Sequence, residues 1–201
     1  TSTTPGKSWT GTTPTLTEFA EEFLAYSDRE NGRAEARSKR QHYRDHLLPA
    51  FGDLALDQIT TALIDRFKAR KLTTLAPATV ARLVATLRRS LVVAHEWGAL
   101  ESVPKIRQVR QKKAEFDYLS FEECAAFLEA APPRWRPFLL VAVRTGLRQG
   151  ELRGLQWGDV DLEGRRIRVA RAFTQTGWET PKSGQGRTVD LAADALEVLR
   201  S

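Results

Sequence analysis

Methionine is absent from the 201 residues, which hold one cysteine, three histidines and three tyrosines. One cysteine excludes an internal disulfide and any zinc site built on several thiolates. Cys124 lies in SFEECAAFLEAA, a pattern that predicts a small buried thiol on a helix. No apolar run approaches the ~20 residues that span a bilayer. A basic segment followed by an apolar one, the mark of a secretory signal, is also missing. The expectation is therefore an intracellular protein with no membrane contact. The lack of methionine, with Thr1 first, leads to the expectation of a processed start or a piece of a longer chain. The length suffices for one domain or two small ones, each able to bury a core.

Acidic charge is scarce in one half. Residues 1–113 carry 19 basic against 12 acidic side chains, whereas residues 114–201 carry 12 against 13. Between Arg66 and Lys113 there are 12 basic residues and only Glu96 and Glu101 as acids. A field so one-sided favours a polyanion, nucleic acid ahead of an acidic membrane surface.

Residues 1–14 are rich in Thr, Ser, Gly and Pro and predict a flexible lead-in. Thr15 or Thr17 then caps a helix bearing Leu16, Phe19, Phe23, Leu24 and Tyr26, broken at Asn31-Gly32. A second helix is expected from about Arg33 to Leu48, stopped by Pro49, with Arg37, Lys39, Arg40 and Arg44 on its polar face. FGDLALDQIT bends through Gly52, and Thr60 caps a short third helix. The fourth is the clearest. Pro77 opens it, Val80, Leu83, Val84, Leu87, Leu91 and Ala94 recur at helical steps, and Arg82, Arg88 and Arg89 lie off that stripe. Four such helices on short turns predict a compact bundle over 15–101. Residues 102–117 have no apolar period and are dense in base, Lys112 and Lys113 included, so they predict an interdomain linker.

From 118 onward the pattern changes. Ser120 has capping-box spacing to Glu123. Pro132-Pro133 ends that helix, and a further one from about Arg134 is apolar almost all round and expected to be buried. It runs into Val143-Arg144-Thr145-Gly146-Leu147-Arg148-Gln149-Gly150-Glu151-Leu152. Gly146 allows a sharp turn, which puts Arg148 in the first turn of a new helix whose seam holds Leu152, Leu155 and Trp157. Helix starts suit anions, so an arginine there looks like half of a phosphate site. Glu151 is placed to hold its guanidinium by an i, i+3 contact. Beyond Trp157-Gly158 the period becomes alternating. Ile167, Val169 and Phe173 share one face, a strand runs from Arg187 to Leu191, and Lys182 opens a tight turn in a small antiparallel sheet. A last helix starts near Ala192.

TGLRQGELRGLQWGDVDL resembles the first catalytic-arginine motif of the tyrosine recombinases, the phage-integrase type of site-specific recombinase. TPKSGQGRTVDL is similar to that family's hairpin with its catalytic lysine. FGDLALDQIT and APATVARLVATLRRSLVVAHEWGAL resemble its core-binding helical domain. The resemblance covers roughly 15–201. It implies a mainly α fold with a small antiparallel β-sheet: a four-helix, SAM-like core-binding domain, then the N-terminal part (118–201) of an α+β catalytic domain. It implies strand cleavage and rejoining through a 3′-phosphotyrosine. Arg148 would grip the nonbridging phosphate oxygens with its planar fork. Lys182 would protonate the departing 5′ oxygen, and Glu151 would orient Arg148. No metal and no cofactor is implied. The implied partner is double-stranded DNA, held by Arg37, Lys39, Arg40, Arg44, Arg82, Arg88, Arg89, Lys112 and Lys113. The full-length protein would be a homotetramer on paired sites.

The departures are large. The family's His-x-x-Arg motif and its nucleophilic tyrosine would fall beyond Ser201. His42, His46 and His95 have no arginine three residues on, and Tyr26, Tyr43 and Tyr118 all precede Arg148. The expectation is a chain with no nucleophile of its own, which binds DNA without cutting it. A naturally truncated, non-catalytic integrase-like DNA-binding protein is the alternative, and a helical transcription factor without the hairpin is a more distant one.

Overall fold

The computed structural model describes Trp9 and residues 12–110, 117–180 and 185–200. The chain divides into two compact units, Thr1–Ala114 and Glu115–Ser201.

In the first unit, α1 (Leu16–Glu30) opens on a reciprocal cap. The Glu18 N–H donates to the Thr15 hydroxyl at 3.3 Å, and the Thr15 N–H donates to the Glu18 carboxylate at 2.9 Å. Thr17, the other candidate cap, instead donates its hydroxyl to the Gly52 carbonyl at 2.9 Å. The second helix departs from expectation. α2 (Arg33–His42) passes into a π-helical turn, Tyr43–Leu47, and on into α3 (Leu48–Phe51), so Pro49 does not stop it. In a regular helix the Pro49 ring would strike the carbonyl four residues back, and it has no N–H to donate. The widened turn, in which the Leu48 N–H bonds to the Tyr43 carbonyl, absorbs the proline and aims both Tyr43 and Leu47 into the core. At Gly52 a Cβ would lie 2.6 Å from the Leu48 carbonyl and 2.8 Å from Thr17 Oγ1. Glycine is favoured there because the last turn of α3 leaves no room for a Cβ and Thr17 of α1 closes the other side.

α4 (Thr61–Leu72) is capped by Thr60, and α5 (Pro77–Glu96) buries the whole stripe from Val80 to Ala94 that its sequence spacing predicts. Its large apolar side chains contribute roughly 1.5–3 kcal/mol each on burial. The core joins them to Phe19, Phe23, Tyr43 and Leu47. Trp9, inside the expected lead-in, packs on Phe19 with ring centroids 6.3 Å apart.

The second unit holds α6 (Phe121–Ala130), α7 (Arg136–Thr145), α8 (Gln149–Arg153), β1 (Val160–Asp161), β2 (Arg166–Val169), β3 (Ala172–Thr174), β4 (Gly177–Glu179), β5 (Arg187–Asp190) and α9 (Ala193–Arg200). β1, β2 and β5 form an antiparallel sheet in that order, with Ile167 opposite both Val160 and Val189; β3 and β4 pair separately. Its core gathers Val141, Leu147, Ile167, Val169, Leu191, Ala195 and Leu196.

Five expectations fail in this unit, the placement of Arg148 before its helix among them. The helix expected to be apolar almost all round and buried is α7, which buries only Val141, leaves Phe138, Leu139 and Leu140 half-buried and exposes Val143. Cys124 is half-buried, on a helix that buries no residue. Trp157 is exposed and takes no part in the seam with Leu152 and Leu155. Phe173 does not share a face with Ile167 and Val169: the chain leaves β2 at Ala170, and Phe173 sits in the other sheet, edge-on to Trp178 at 5.2 Å. Among the described residues no helix is long and apolar enough to cross a membrane.

Candidate active site

α7 ends at Thr145 because Gly146 takes a left-handed φ of 61°, where a Cβ would be strained. Leu147 drops into the core and anchors the turn. Arg148 then stands one residue before α8, as its N-cap with φ −65° and ψ 150°, and so outside the first helical turn where it was expected. α8 has only five residues, so its dipole is a weak anion trap and the guanidinium carries the positive charge of the site.

Glu151 is the centre of the cluster. Its side chain is 2% exposed, and the Arg148 N–H donates to its Oε2 at 2.9 Å. Arg148 Nη1 donates to Oε1 at 3.2 Å. A second guanidinium, unforeseen in the sequence, makes the stronger contact: Arg187, at the start of β5, donates from Nη1 to Oε1 at 2.7 Å and from Nη2 to Oε2 at 2.8 Å. That two-pronged geometry is the strong form of an arginine–carboxylate pair. The Arg187 bonds, helped by the Arg148 N–H and side chain, hold the Glu151 carboxyl at about 2, against burial acting in the opposite direction. The sequence carries no signal for Arg187, because the need for it arises from the burial of Glu151: an ionised carboxylate has acceptor sites for about four bonds, and Arg148 alone does not fill them. Arg148 keeps 60% of its side chain exposed. Only one of the five N–H donors that a guanidinium carries reaches Glu151.

Gly154 brings α8 close onto β3, with Gly150 beside it in ordinary contact. A Cβ on Gly154 would lie 3.0 Å from the Phe173 nitrogen and 3.1 Å from Ala172 backbone atoms, and one on Gly150 would lie 3.5 Å from the Ala172 Cβ. Backbone cannot yield as a flexible side chain can. Gly154→Ala should therefore destabilise this unit by about 1 kcal/mol or more through overpacking, read as a lower midpoint in urea.

Lys182, Lys112 and Lys113 lie outside the described residues. In the first unit Arg37, Arg40 and Arg44 line a groove of ≈600 Å³ with Leu24, Gln41, Tyr43 and Leu48. Arg40 pairs with Asp28, and Arg44 with the adjacent Asp45 at 2.6 Å. Lys39 differs from its neighbours: its side chain is only 12% exposed and pairs with Glu35 at 2.8 Å. Arg82, Arg88 and Arg89 are exposed on α5, where Arg89 donates to the Tyr26 hydroxyl at 3.2 Å and approaches Glu96. Tyr43 is fully buried, which pushes its phenol well above the ordinary range, while Tyr118 is exposed.

The first unit is thus helical and basic, and the second presents an exposed arginine braced on a buried glutamate. The sequence model of the phage integrase family matches residues 117–201. The prophage integrase IntR of Escherichia coli K12 is 34% identical over 126 residues, which cover 61% of this chain and 31% of that protein. An integrase of Streptomyces ambofaciens is 27% identical over 202 residues, covering 92% of this chain and 51% of its own. The chain thus spans about a third to a half of the length of these curated relatives. In fold it is similar to the Tn1549 transposon integrase in complex with a circular intermediate DNA (TM-score 0.80, 17% identity, 92% of this chain and 64% of that one). It is also similar to a lambda integrase tetramer bound to a Holliday junction (TM-score 0.75, 19% identity, 93% of this chain and 56% of that one). Residues 117–201 are thus similar to the phage integrase family, and the chain as a whole shares the fold of these two integrases.

Proposed function

We propose that this chain is the DNA-gripping portion of a site-specific recombinase, intracellular and associated with the nucleoid. Residues 15–101 form its core-binding domain, 102–117 its basic linker, and 118–201 the N-terminal part of its catalytic domain. The observation that carries this reading is Arg148, exposed to solvent yet braced by its backbone and side chain on buried Glu151. A planar fork so held can bond two nonbridging oxygens of a phosphodiester at once, and its value rises as charge develops there in the transition state. Glu151 orients Arg148. Lys182 acts as general acid toward the departing 5′ oxygen. Arg37, Arg40, Arg44, Arg82, Arg88 and Arg89, with Lys112 and Lys113, position the duplex through its phosphates, which gives register without base specificity. Lys39, held by Glu35, contributes less. The full-length protein assembles as a homotetramer on paired sites, a reading supported by the lambda integrase tetramer on its junction.

Within the 201 residues every tyrosine precedes Arg148, and Tyr43 is buried in a helical core. These residues alone therefore bind DNA without forming a covalent link. Incubation with a nicked suicide duplex, followed by denaturing electrophoresis, is expected to show binding at low salt and no protein–DNA adduct. Arg148→Ala is expected to weaken binding by about tenfold or more, the worth of one charged phosphate contact. An adduct overturns the non-cleaving reading, and failure to bind duplex DNA at low salt overturns the whole of it.

A further inference from the structure

We propose that Arg187 is a positioning residue: by taking up the charge of Glu151, it leaves the Arg148 guanidinium available to a phosphate. This rests on the reading of Arg148 as a phosphate ligand. The distances divide the carboxylate unequally. Arg187 reaches both oxygens at 2.7 and 2.8 Å, whereas the Arg148 side chain reaches only Oε1, at 3.2 Å. Two cations thus face one buried anion, and the surplus positive charge sits on the more exposed of the two, 60% against 36%. Without Arg187, a carboxylate with 2% exposure would have one cation within reach. Burial makes an unpaired charge costly, so the carboxylate would draw Arg148 into the two-pronged pair that Arg187 now makes. The donors that Arg148 now turns outward would then be consumed.

The fold delivers Arg187 to this place from a distant part of the sequence. β5 runs antiparallel to β2 with Arg187 opposite Val169. Just before it, a Cβ on Gly186 would stand 3.2 Å from the Val169 carbonyl, so that close approach favours glycine. Arg187 therefore enters from the sheet while Arg148 and Glu151 come from the α7–α8 corner. The carboxylate joins the two elements.

The test uses the 201-residue chain labelled with ¹⁵N, in the wild type, Arg187→Gln, Arg187→Lys, and Glu151→Gln combined with Arg187→Gln. Two signals are followed at the Arg148 guanidinium: its Nε–H exchange rate without ligand, and its shift on titration with inorganic phosphate. In Arg187→Gln the exchange is expected to slow several-fold as Glu151 captures Arg148. Phosphate affinity at Arg148 should fall about tenfold, the scale of one charge-assisted pair. Arg187→Lys, which keeps the charge but not the fork, should fall between. The double variant has no carboxylate to capture Arg148, so phosphate binding should rise above that of Arg187→Gln by about threefold or more, while staying below wild type because Arg148 has lost its brace. A role confined to holding the fold together predicts no such rescue. Unchanged exchange in Arg187→Gln, or a double variant as weak as the single one, overturns the proposal. Slowed exchange together with no phosphate shift at Arg148 in the wild type upholds the charge balance and overturns the phosphate reading of Arg148 instead.

Discussion

A fourfold rise in salt, from about 50 to about 200 mM, is expected to weaken duplex binding by this chain at least about 10³-fold, the share of the first unit alone. Six arginines of the first unit, Arg37, Arg40, Arg44, Arg82, Arg88 and Arg89, are exposed or lie at the rim of the basic groove. Each phosphate that one neutralises releases close to one condensed counterion, so six contacts give a slope of about −5 in log affinity against log salt. Half of them must first leave a neighbour: Arg40 leaves Asp28, Arg44 leaves Asp45, and Arg89 leaves Glu96. Exposed pairs of this kind are worth at most about 1 kcal/mol, so a phosphate competes for these arginines with little penalty. Arg37, Arg82 and Arg88 have no carboxylate partner among the described residues and should engage first. Fluorescence anisotropy of a labelled duplex across that salt range measures the slope. A slope flatter than about −2 would sink the electrostatic argument, and Arg37→Glu with Arg88→Glu should reduce it by about 2 units.

The bundle was legible in the sequence because its signals are local. A stripe at steps of three and four on α5 points to one structure, and the chain adopts it; the cap of α1, open between Thr15 and Thr17 in the sequence, falls to Thr15. The π-turn at Tyr43–Leu47 was not legible, since a proline read alone says that a helix stops. What lets this helix continue is the gain from burying Tyr43 and Leu47 together, a tertiary effect. The same division runs through the site. Arg148 and Glu151 lie three residues apart and could be paired on paper. Arg187 is 36 positions from Glu151, and only the pairing of β5 with β2 brings it there. Phe173 follows from the same division: the alternation slips at Ala170-Arg171, where the face of Ile167 and Val169 would carry an arginine, and the pairing with β5 ends at Val169.

Acid should loosen this site in one defined window, between about pH 4.5 and pH 2. Glu151 ionises near 4.5 when free and at about 2 in the folded chain, held down first by Arg187 and then by Arg148. A depressed carboxylate stabilises the fold fully above its free value, and that stabilisation is lost as pH falls through the folded value. The full shift corresponds to about 3 kcal/mol. Both arginines are washed by solvent, which screens the pair, so about 2 kcal/mol is the expected effect. Urea unfolding at steps of half a pH unit, for wild type and Glu151→Gln, should show a gap of that size near pH 6 that closes toward pH 2. A gap constant over the window would mean that Glu151 is held by packing and not by its charge. At neutral pH the carboxylate stays fully ionised, so two guanidiniums and one carboxylate carry a fixed surplus of one positive charge. A histidine in the same place would lose its charge near neutrality, whereas this cluster offers a phosphate the same cation across the whole physiological range.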